Sequence, residues 1–475
     1  MREFSQHSDE REDINELLAQ FENLRKGRAA SYIDEDAFER IIEHFESEEN
    51  FVKAKMAVDI AIEQYPYSGT LLVKKADLLL TQRSYEEALA LLEQAFILDS
   101  SNIDIYILKT EAFLALDRQQ EAVDLLEDAL SIFDGDEKIN LLFELADVYD
   151  DYEDFEKVFD CLKSILEQEP ANEEALYKIC FWTDFTGRNA ESIELHLKII
   201  EENPYSELAW FNLGAAYQGV KLYEKAIDAY KYAIAIDEKF DYAYRNIGDA
   251  YIRLRKYRDA IENLEKVLEL SKPEDVIYEA IGYCYEKLKN FAQARFYYRK
   301  ASHLNPESSY MFYKVAFTYY RENKFAQSIK QLETAIKMKR NKPEYNLLMG
   351  ECKMELGLTK EGIQYLLNVV RLRPKSVIGW EALVKSLYGT GQFEEVLEQV
   401  KMAENFLGNK PVLKYYKTAA YFAMGMMKEA LLQLEEALST SPTHLKKLIQ
   451  LNPSLLQYPQ VTDLLVRYKK KGRRK

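Results

Sequence analysis

The chain has 475 residues and a formal net charge of −17, and its length alone would suggest about three domains. It contains only 11 prolines and 17 glycines, which favours an almost entirely helical protein. The sequence has no apolar run long enough for a membrane-spanning helix, no CxxC pair among its four cysteines and no apolar secretory signal. We therefore expect a cytoplasmic protein with reduced thiols.

Residues 1–34 begin with a polar stretch and continue with an amphipathic pattern. From about Asp13, apolar residues recur at the spacing of one helical face, and Gly27 follows as a stop signal. The residues of this face are Ile14, Leu17, Leu18, Phe21 and Leu24. We interpret residues 1–34 as an N-terminal tail and a helix that caps the apolar end of the structure that follows.

A 34-residue stretch, residues 207–240, is the best-formed unit of the chain. It contains W-x2-L-G-x2-Y, in which Trp210, Leu213 and Tyr217 share one helical face. Gly214 and Ala226 are small where two helices would need to approach closely, and Tyr230 and Ala233 follow Ala226 at helical spacing. This unit resembles the tetratricopeptide repeat, a helix–turn–helix of 34 residues.

The pattern recurs along most of the chain. Steps of 34 residues bring small residues to Gly248, Gly282, Ala316 and Gly350, and prolines to Pro306, Pro374 and Pro442. The register predicts twelve repeats over residues 35–444, with Glu137 and Lys138 as two extra residues before the fourth. The predicted first residues are Glu35, Gly69, Ile103, Ile139, Glu173, Glu207, Asp241, Asp275, Ser309, Pro343, Val377 and Pro411. The resemblance implies an all-α, right-handed superhelical solenoid.

Residues 445–475 follow the last repeat. Two short apolar segments around Pro453 and Pro459 predict C-terminal capping helices. The chain ends in a basic tail made of Lys469, Lys470, Lys471, Arg473, Arg474 and Lys475.

The charge is unevenly distributed. Residues 35–206 hold 41 acidic and 14 basic residues, whereas residues 207–475 hold 31 acidic and 44 basic residues. This polarity is explained either by a solubilising acidic half or by two regions that select partners of opposite sign.

The sequence contains none of the constellations that would predict chemistry. Its five histidines are scattered, and no metal-ligand spacing, P-loop, dinucleotide fingerprint or nucleophile elbow is present. We therefore expect a protein that is not an enzyme and that has no catalytic, cofactor or metal site.

The resemblance implies that the first helix of each repeat faces a concave groove, through about positions 2, 5, 6, 9, 12 and 13. Asp147, Asp150 and Asp151, with Glu111 and Asp184, form an acidic patch there that is either functional or simply hydrated. A second group combines carboxamides, cations and rings, which suit an extended acidic segment with apolar anchors. The alternative is that these rings pack and the cations only solubilise. This predicted peptide-binding set is Asn212, Arg245, Asn246, Arg253, Tyr283, Lys287, Tyr313, Phe317, Tyr320 and Arg321.

The sequence therefore predicts a non-enzymatic scaffold that binds extended protein segments by capture in the groove of repeats six to nine. A rival hypothesis is a nucleic-acid- or ribosome-associated factor that uses the basic C-terminal half and tail. Strong weakening of binding by salt would favour this rival.

Overall fold

The structure is a computed structural model that describes residues 2–26, 32–408 and 410–472. These residues form 27 α-helices and two short 3₁₀ segments, and no strand occurs among them. Helices make up most of the described residues, which confirms the predicted all-α class. The chain divides into two compact units, Met1–Glu238 and Lys239–Lys475.

The first unit contains one N-terminal helix and six helix pairs, in which each helix packs on the next. We call the first helix of a pair its leading helix and the second its trailing helix. The helices are α1 (Arg2–Arg25), α2 (Glu35–Ser47), α3 (Phe51–Gln64), α4 (Gly69–Thr81), α5 (Tyr85–Leu98), α6 (Ile103–Ala115), α7 (Gln119–Ala129), α8 (Gly135–Asp151), α9 (Phe155–Gln168), α10 (Glu173–Thr186), α11 (Asn189–Glu202), α12 (Glu207–Gly219) and α13 (Tyr223–Ile236).

The second unit contains six further pairs and two C-terminal helices. These helices are α14 (Asp241–Arg253), α15 (Tyr257–Leu270), α16 (Asp275–Lys287), α17 (Phe291–Leu304), α18 (Ser309–Arg321), α19 (Phe325–Met338), α20 (Pro343–Glu355), α21 (Thr359–Leu372), α22 (Val377–Gly389), α23 (Phe393–Leu407), α24 (Pro411–Ala423), α25 (Met427–Thr440), α26 (Leu445–Leu451) and α27 (Pro459–Gly472).

Eleven of the twelve leading helices begin at the residue that the repeat register predicts. The exception is α8, which begins at Gly135 instead of Ile139. Asp136 and Glu137 lie in its first turn, where carboxylates interact favourably with the helix dipole. The two extra residues thus lie inside this helix and lengthen it at its N-terminus.

The turn inside every pair has the same backbone signature. One residue per turn has positive φ, and in eight of the twelve described turns it is not glycine, as with Lys221 (φ 63°) and Lys289 (φ 60°). In the turn after α16, the amide of Asn290 donates to the carbonyl of Tyr285 at 2.9 Å, and that of Lys289 to Glu286 at 3.0 Å. These bonds satisfy carbonyls at the end of the leading helix and reverse the chain.

Small residues allow the two helices of a pair to approach closely, as their recurrence predicts. A Cβ atom built on Gly214 would lie 2.6 Å from the ring of Tyr230, and one built on Gly248 would lie 2.7 Å from Leu264. Ala316 occupies the equivalent place in α18, where its carbonyl accepts a hydrogen bond from Ser328 Oγ at 2.8 Å. Only small side chains fit at these contacts.

Helix α1 packs on the first pair of the first unit, and α26 and α27 pack on the last pair of the second unit. Phe21 of α1 is fully buried and its ring centroid lies 5.9 Å from that of Phe45. Helix α1 starts at Arg2, about three turns before the predicted start near Asp13, because the polar stretch contains no proline or glycine to stop it. Gly27 lies outside the described residues. At the other end Leu448, Leu455 and Val461 are buried against α24 and α25.

Candidate functional site

The predicted peptide-binding cations lie on the leading helices of the second unit. Arg253, Lys287 and Arg321 are the last residues of α14, α16 and α18. A cation in the last turn of a helix interacts favourably with the helix dipole. This local interaction explains why arginine or lysine recurs at the position. All three side chains are exposed, so they also present a repeated positive charge to solvent.

These cations differ in what they contact. The Arg253 side chain is 61% exposed, and its Nε lies 3.5 Å from Asp249 Oδ2. Lys287 Nζ lies 4.9 Å from the ring centroid of Tyr283. The guanidinium of Arg321 lies 5.7 Å from the ring centroid of Phe317 and also packs over Phe291 at 5.0 Å. Each of the last two cations therefore rests on a ring that the sequence also predicts for the site.

A buried lysine that the sequence analysis missed holds these rings together. Lys314 of α18 forms a 2.7 Å ion pair with Glu286 of α16, and the two side chains are only 10% and 11% exposed. Tyr298 donates a hydrogen bond to the same carboxylate at 2.8 Å. Burial, together with the charge of Glu286, raises the pKa of Tyr298. The ammonium group is thus satisfied internally and anchors α18 to α16.

Four rings surround this ion pair. The Lys314 ammonium lies between 5.2 and 5.9 Å from the ring centroids of Tyr283, Tyr298, Tyr310 and Phe317. We call Lys314, Glu286 and these rings the lysine cage. Lys314 could have been found in the sequence as a lysine at position 6 of a repeat rich in aromatic residues. However, position alone does not distinguish a buried lysine from a solvated one.

The remaining predicted rings belong to the neighbouring contact between α18 and α20. Tyr313 stacks on Tyr310 at 6.0 Å and on Tyr345 at 5.1 Å, and burial raises the pKa of Tyr313 to about 12. Tyr320 packs edge-on against Phe325 at 5.9 Å, and burial also raises its pKa to about 12. These rings are half-buried and held in place by their neighbours.

An open pocket of about 390 Å³ lies beside the stacked tyrosines, where α18 and α20 begin. It adds two lysines that the predicted set did not include. Its lining residues are Ser308, Ser309, Tyr310, Tyr313, Lys339, Lys342, Glu344 and Tyr345. A face of aromatic rings with cations at its edge is therefore continuous from α16 to α20.

The predicted residues Asn212, Asn246 and Arg245 differ in their burial and in their contacts. Asn246 and Arg245 are partly buried on α14, and Arg245 Nη1 lies 3.4 Å from Glu274. Asn212 belongs to the first unit and is only 2% exposed. Its Nδ2 donates to the carbonyl of Leu176 at 2.7 Å, which ties α12 to α10. Asn212 therefore has an interior packing role and does not contribute to the exposed surface of the second unit.

Among the residues that the structure describes, no group of three His, Cys, Asp or Glu side chains could hold a metal ion. No described helix is long and apolar enough to cross a membrane.

Comparison with known proteins agrees with the repeat pattern. The family model described as tetratricopeptide repeat matches residues 79–142, and the model of the C-terminal ARM domain of tetratricopeptide repeat protein 21 matches residues 221–352. No curated protein matches the sequence significantly.

Several solved structures are similar at low sequence identity. One is the C-terminal part of a TPR repeat-containing protein from Cytophaga hutchinsonii, with 16% identity and a TM-score of 0.43, covering 54% of this chain and 99% of that chain. Another is a chain of the APC/C hetero-tetramer Cut9–Hcn1, with 13% identity and a TM-score of 0.37, covering 86% and 96%. A third is YrrB, described as a TPR protein with an unusual peptide-binding site, with 19% identity and a TM-score of 0.36, covering 39% and 96%.

The helix pairs recur along the chain, small residues lie at the pair contact and each described turn within a pair contains a residue with positive φ. These features define an all-α helical-repeat protein. Together with the two family matches, these features support a tetratricopeptide repeat protein. Proteins of this architecture present extended binding surfaces built from successive repeats.

Proposed function

We propose that the chain is a non-enzymatic scaffold whose second unit binds an extended, acidic protein segment. The surface consists of the leading helices α14, α16, α18 and α20. The observation that carries the proposal is the line of exposed cations, Arg253, Lys287 and Arg321, at one position of three successive leading helices. The rings beside this line are already fixed in place.

The chemistry of the surface favours a negatively charged ligand. Lys239–Lys475 contains 41 basic and 26 acidic residues, so the charge of the whole unit attracts such a segment. Arginine and lysine side chains bind carboxylates through charge-assisted hydrogen bonds. Half-buried tyrosines offer apolar area with little loss of conformational freedom, because their neighbours already hold them.

The lysine cage supports this binding surface indirectly. Since Glu286 neutralises Lys314, the cage contributes no net charge to the ligand. Its role is to hold Tyr283 and Phe317 beneath Lys287 and Arg321, so that these cations keep a defined position. Binding on this surface is capture without a chemical step, in which charge speeds encounter and ring burial provides most of the affinity.

The double change Arg253→Glu with Arg321→Glu tests the proposal. The probe is a fluorescein-labelled peptide of alternating Glu and Leu, titrated with the full chain and followed by anisotropy. We expect the Kd to rise by about tenfold or more, since two attractive charges become repulsive. The matched control, Lys330→Glu with Lys337→Glu, makes the same charge change at exposed residues of the trailing helix α19.

The pattern of results distinguishes a specific surface from bulk charge. If both double variants weaken binding equally, the peptide responds only to net charge and the proposed surface is wrong. Unchanged binding by the Arg253/Arg321 variant would also refute it.

The nucleic-acid hypothesis predicts a different outcome. A single-stranded oligonucleotide would then compete for the peptide and lose affinity steeply with salt. The basic tail that this hypothesis uses is described only in part. Lys469, Lys470 and Lys471 lie within α27, whereas Arg473, Arg474 and Lys475 lie outside the described residues. Competition that disappears in a chain shortened to residues 1–468 would support the nucleic-acid hypothesis over the peptide surface.

A further inference from the structure

The first unit carries an aromatic surface that the sequence analysis did not single out. Tyr177, Phe181 and Phe185 follow one another at four-residue spacing along α10 and therefore project from one side of the helix. Their side chains are 74%, 60% and 57% exposed. Two phenylalanines and a tyrosine exposed in a row form a contiguous apolar patch, which on a folded protein marks a site of interaction. We call these three residues the aromatic ridge.

The ridge is anchored from below by further rings. Trp182 stacks on Phe155 at 5.2 Å, and Phe181 packs edge-on against Trp182 at 4.9 Å. Phe185 meets Phe155 edge-on at 4.8 Å and lies 6.0 Å from Phe181. Trp182 in turn packs against the hydrophobic core of the unit. Because these contacts restrict the rings, a ligand would bind them at a small entropic cost.

Carboxylates border the ridge. Asp147, Asp150 and Asp151 are exposed at the end of α8, and Asp184 is exposed on α10 beside Phe185. Lys178 connects the two helices, because its Nζ lies 2.8 Å from Glu174 and 3.8 Å from Asp147. Its charge is therefore already shared between two carboxylates.

The balance of charge beside the ridge is negative. Partial burial raises the pKa of Asp147, and the neighbouring charges of Asp150, Glu174 and Asp151 raise it further, whereas Lys178 opposes the change. The unit as a whole has 54 acidic and 22 basic residues in Met1–Glu238. A nucleic acid, an acidic peptide or an anionic membrane would be repelled from such a surface.

We propose that the aromatic ridge and its bordering carboxylates form a second binding site, which takes an extended segment of another protein rich in lysine and arginine. The faces of phenylalanine and tyrosine attract cations, and the aliphatic stems of lysine and arginine pack along rings. Carboxylates next to the rings pair with the charged ends of the same side chains. A purely apolar ligand would use only the rings, whereas a basic segment uses both features.

This site is independent of the one proposed on the second unit. It has the opposite charge, it lies on other helices, and neither site needs the other to be occupied. The chain would then engage two classes of segment, an acidic one through α14 to α20 and a basic one through α8 and α10.

The proposal is tested with a fluorescein-labelled peptide of alternating Arg and Leu, titrated with the full chain by anisotropy. Two variants remove the two features separately: Phe181→Ala with Phe185→Ala, and Asp147→Asn with Asp150→Asn and Asp151→Asn. We expect each to raise the Kd for the basic peptide by about tenfold or more, because each removes central contacts of the site. Neither should alter binding of the Glu/Leu peptide used for the second unit.

Matched controls separate the site from general attraction. Glu194→Gln with Glu201→Gln and Glu202→Gln removes three exposed carboxylates from α11 of the same repeat, and Tyr205→Ala removes an equally exposed ring from the loop after α11. Both should bind like the parent. If the α11 variant weakens binding as much as the α8 variant, attraction is non-specific and the proposal is wrong. Binding that is unchanged in the phenylalanine variant refutes it as well.

A second measurement does not depend on any variant folding correctly. A benzophenone-bearing form of the Arg/Leu peptide should cross-link to residues of α8 and α10, and cross-links confined to other helices would overturn the proposal. A chain shortened to residues 1–468 that binds the peptide several-fold more tightly would show that the chain's own basic terminus is the occupant. That result would contradict a separate partner.

Discussion

At the scale of single residues, buried polar groups decide how the protein responds to pH. His196 of α11 is fully buried, and its Nδ1 bonds to the backbone carbonyl of Ser192 at 2.7 Å. Its Nε2 is buried without a hydrogen-bond partner within the described residues. Burial lowers the pKa of His196 to about 4, although the backbone hydrogen bond opposes this shift. The imidazole is therefore neutral in the folded protein.

The low pKa of His196 predicts that the protein loses stability in mild acid. Below its ordinary pKa the unfolded chain takes up a proton that the folded chain does not bind, so stability falls as pH falls from about 6.5 towards 4. Between pH 7 and pH 5 the loss attributable to His196 should be about 2 kcal/mol. Urea unfolding of His196→Leu at both pH values should show a correspondingly smaller difference than the parent. Ile199→Val, a buried and non-titrating change in the same helix, should leave that difference intact.

The close helix contact at Gly214 predicts that a larger side chain there lowers the stability of the protein. A side chain at Gly214 would meet the ring of Tyr230, which is itself fully buried and has no room to move. Gly214→Leu should therefore lower the free energy of unfolding by roughly 1–3 kcal/mol through overpacking. Gly389 has no atom within 4 Å of an added Cβ, so Gly389→Ala is the control and should not show this loss. Equal stability of parent and Gly214→Leu in urea would contradict the close approach.

At the scale of helices and turns, much of the architecture follows from local signals. The repeat register predicts where eleven leading helices begin, because small residues, turn residues and helix ends recur together every 34 residues. The positive-φ turn is less visible in the sequence. Lysine, arginine, aspartate and glutamate occupy it in several pairs, where glycine would be the expected residue.

These non-glycine turns predict a route to higher stability. Lys221 is exposed and has a φ of 63°, a conformation that costs an ordinary residue about 1 kcal/mol relative to glycine. Lys221→Gly removes this backbone strain, but glycine also has more conformational freedom in the unfolded chain, which offsets part of the gain. The net result should be a rise of about 0.5–1 kcal/mol in the free energy of unfolding. Lys221→Ala should give no such gain, and Gly357→Ala at the equivalent turn (φ 77°) should be destabilising. A gain from Lys221→Ala as large as that from Lys221→Gly would contradict backbone strain as the cause.

At the scale of the whole molecule, stability should be local in the way that repeat arrays are. Most contacts of a helix are with its immediate neighbours in the chain. Leu383 of α22 is fully buried in the core formed by α20 to α24. Leu383→Ala should cost about 2–5 kcal/mol and increase hydrogen exchange mainly in α20 to α24. A uniform increase that includes α4 to α8 of the first unit would contradict local stability and indicate a single cooperative fold.

The helical-repeat class of the protein could be predicted from the sequence, because the 34-residue period recurs along the chain and helix-stop signals act within a few turns. The surroundings of individual side chains on the leading helices could not be predicted in the same way, because they depend on residues from other repeats. Asn212, Lys314 and Phe181 all lie on leading helices, yet the first ties two helices together, the second is caged and the third is exposed. Helical periodicity predicts which face of its helix a residue occupies. Parts of that face contact the next leading helix, parts contact the trailing helix and parts are exposed to solvent. Which of these surroundings a side chain has depends on the size and charge of residues from other repeats. No local sequence pattern specifies those neighbours.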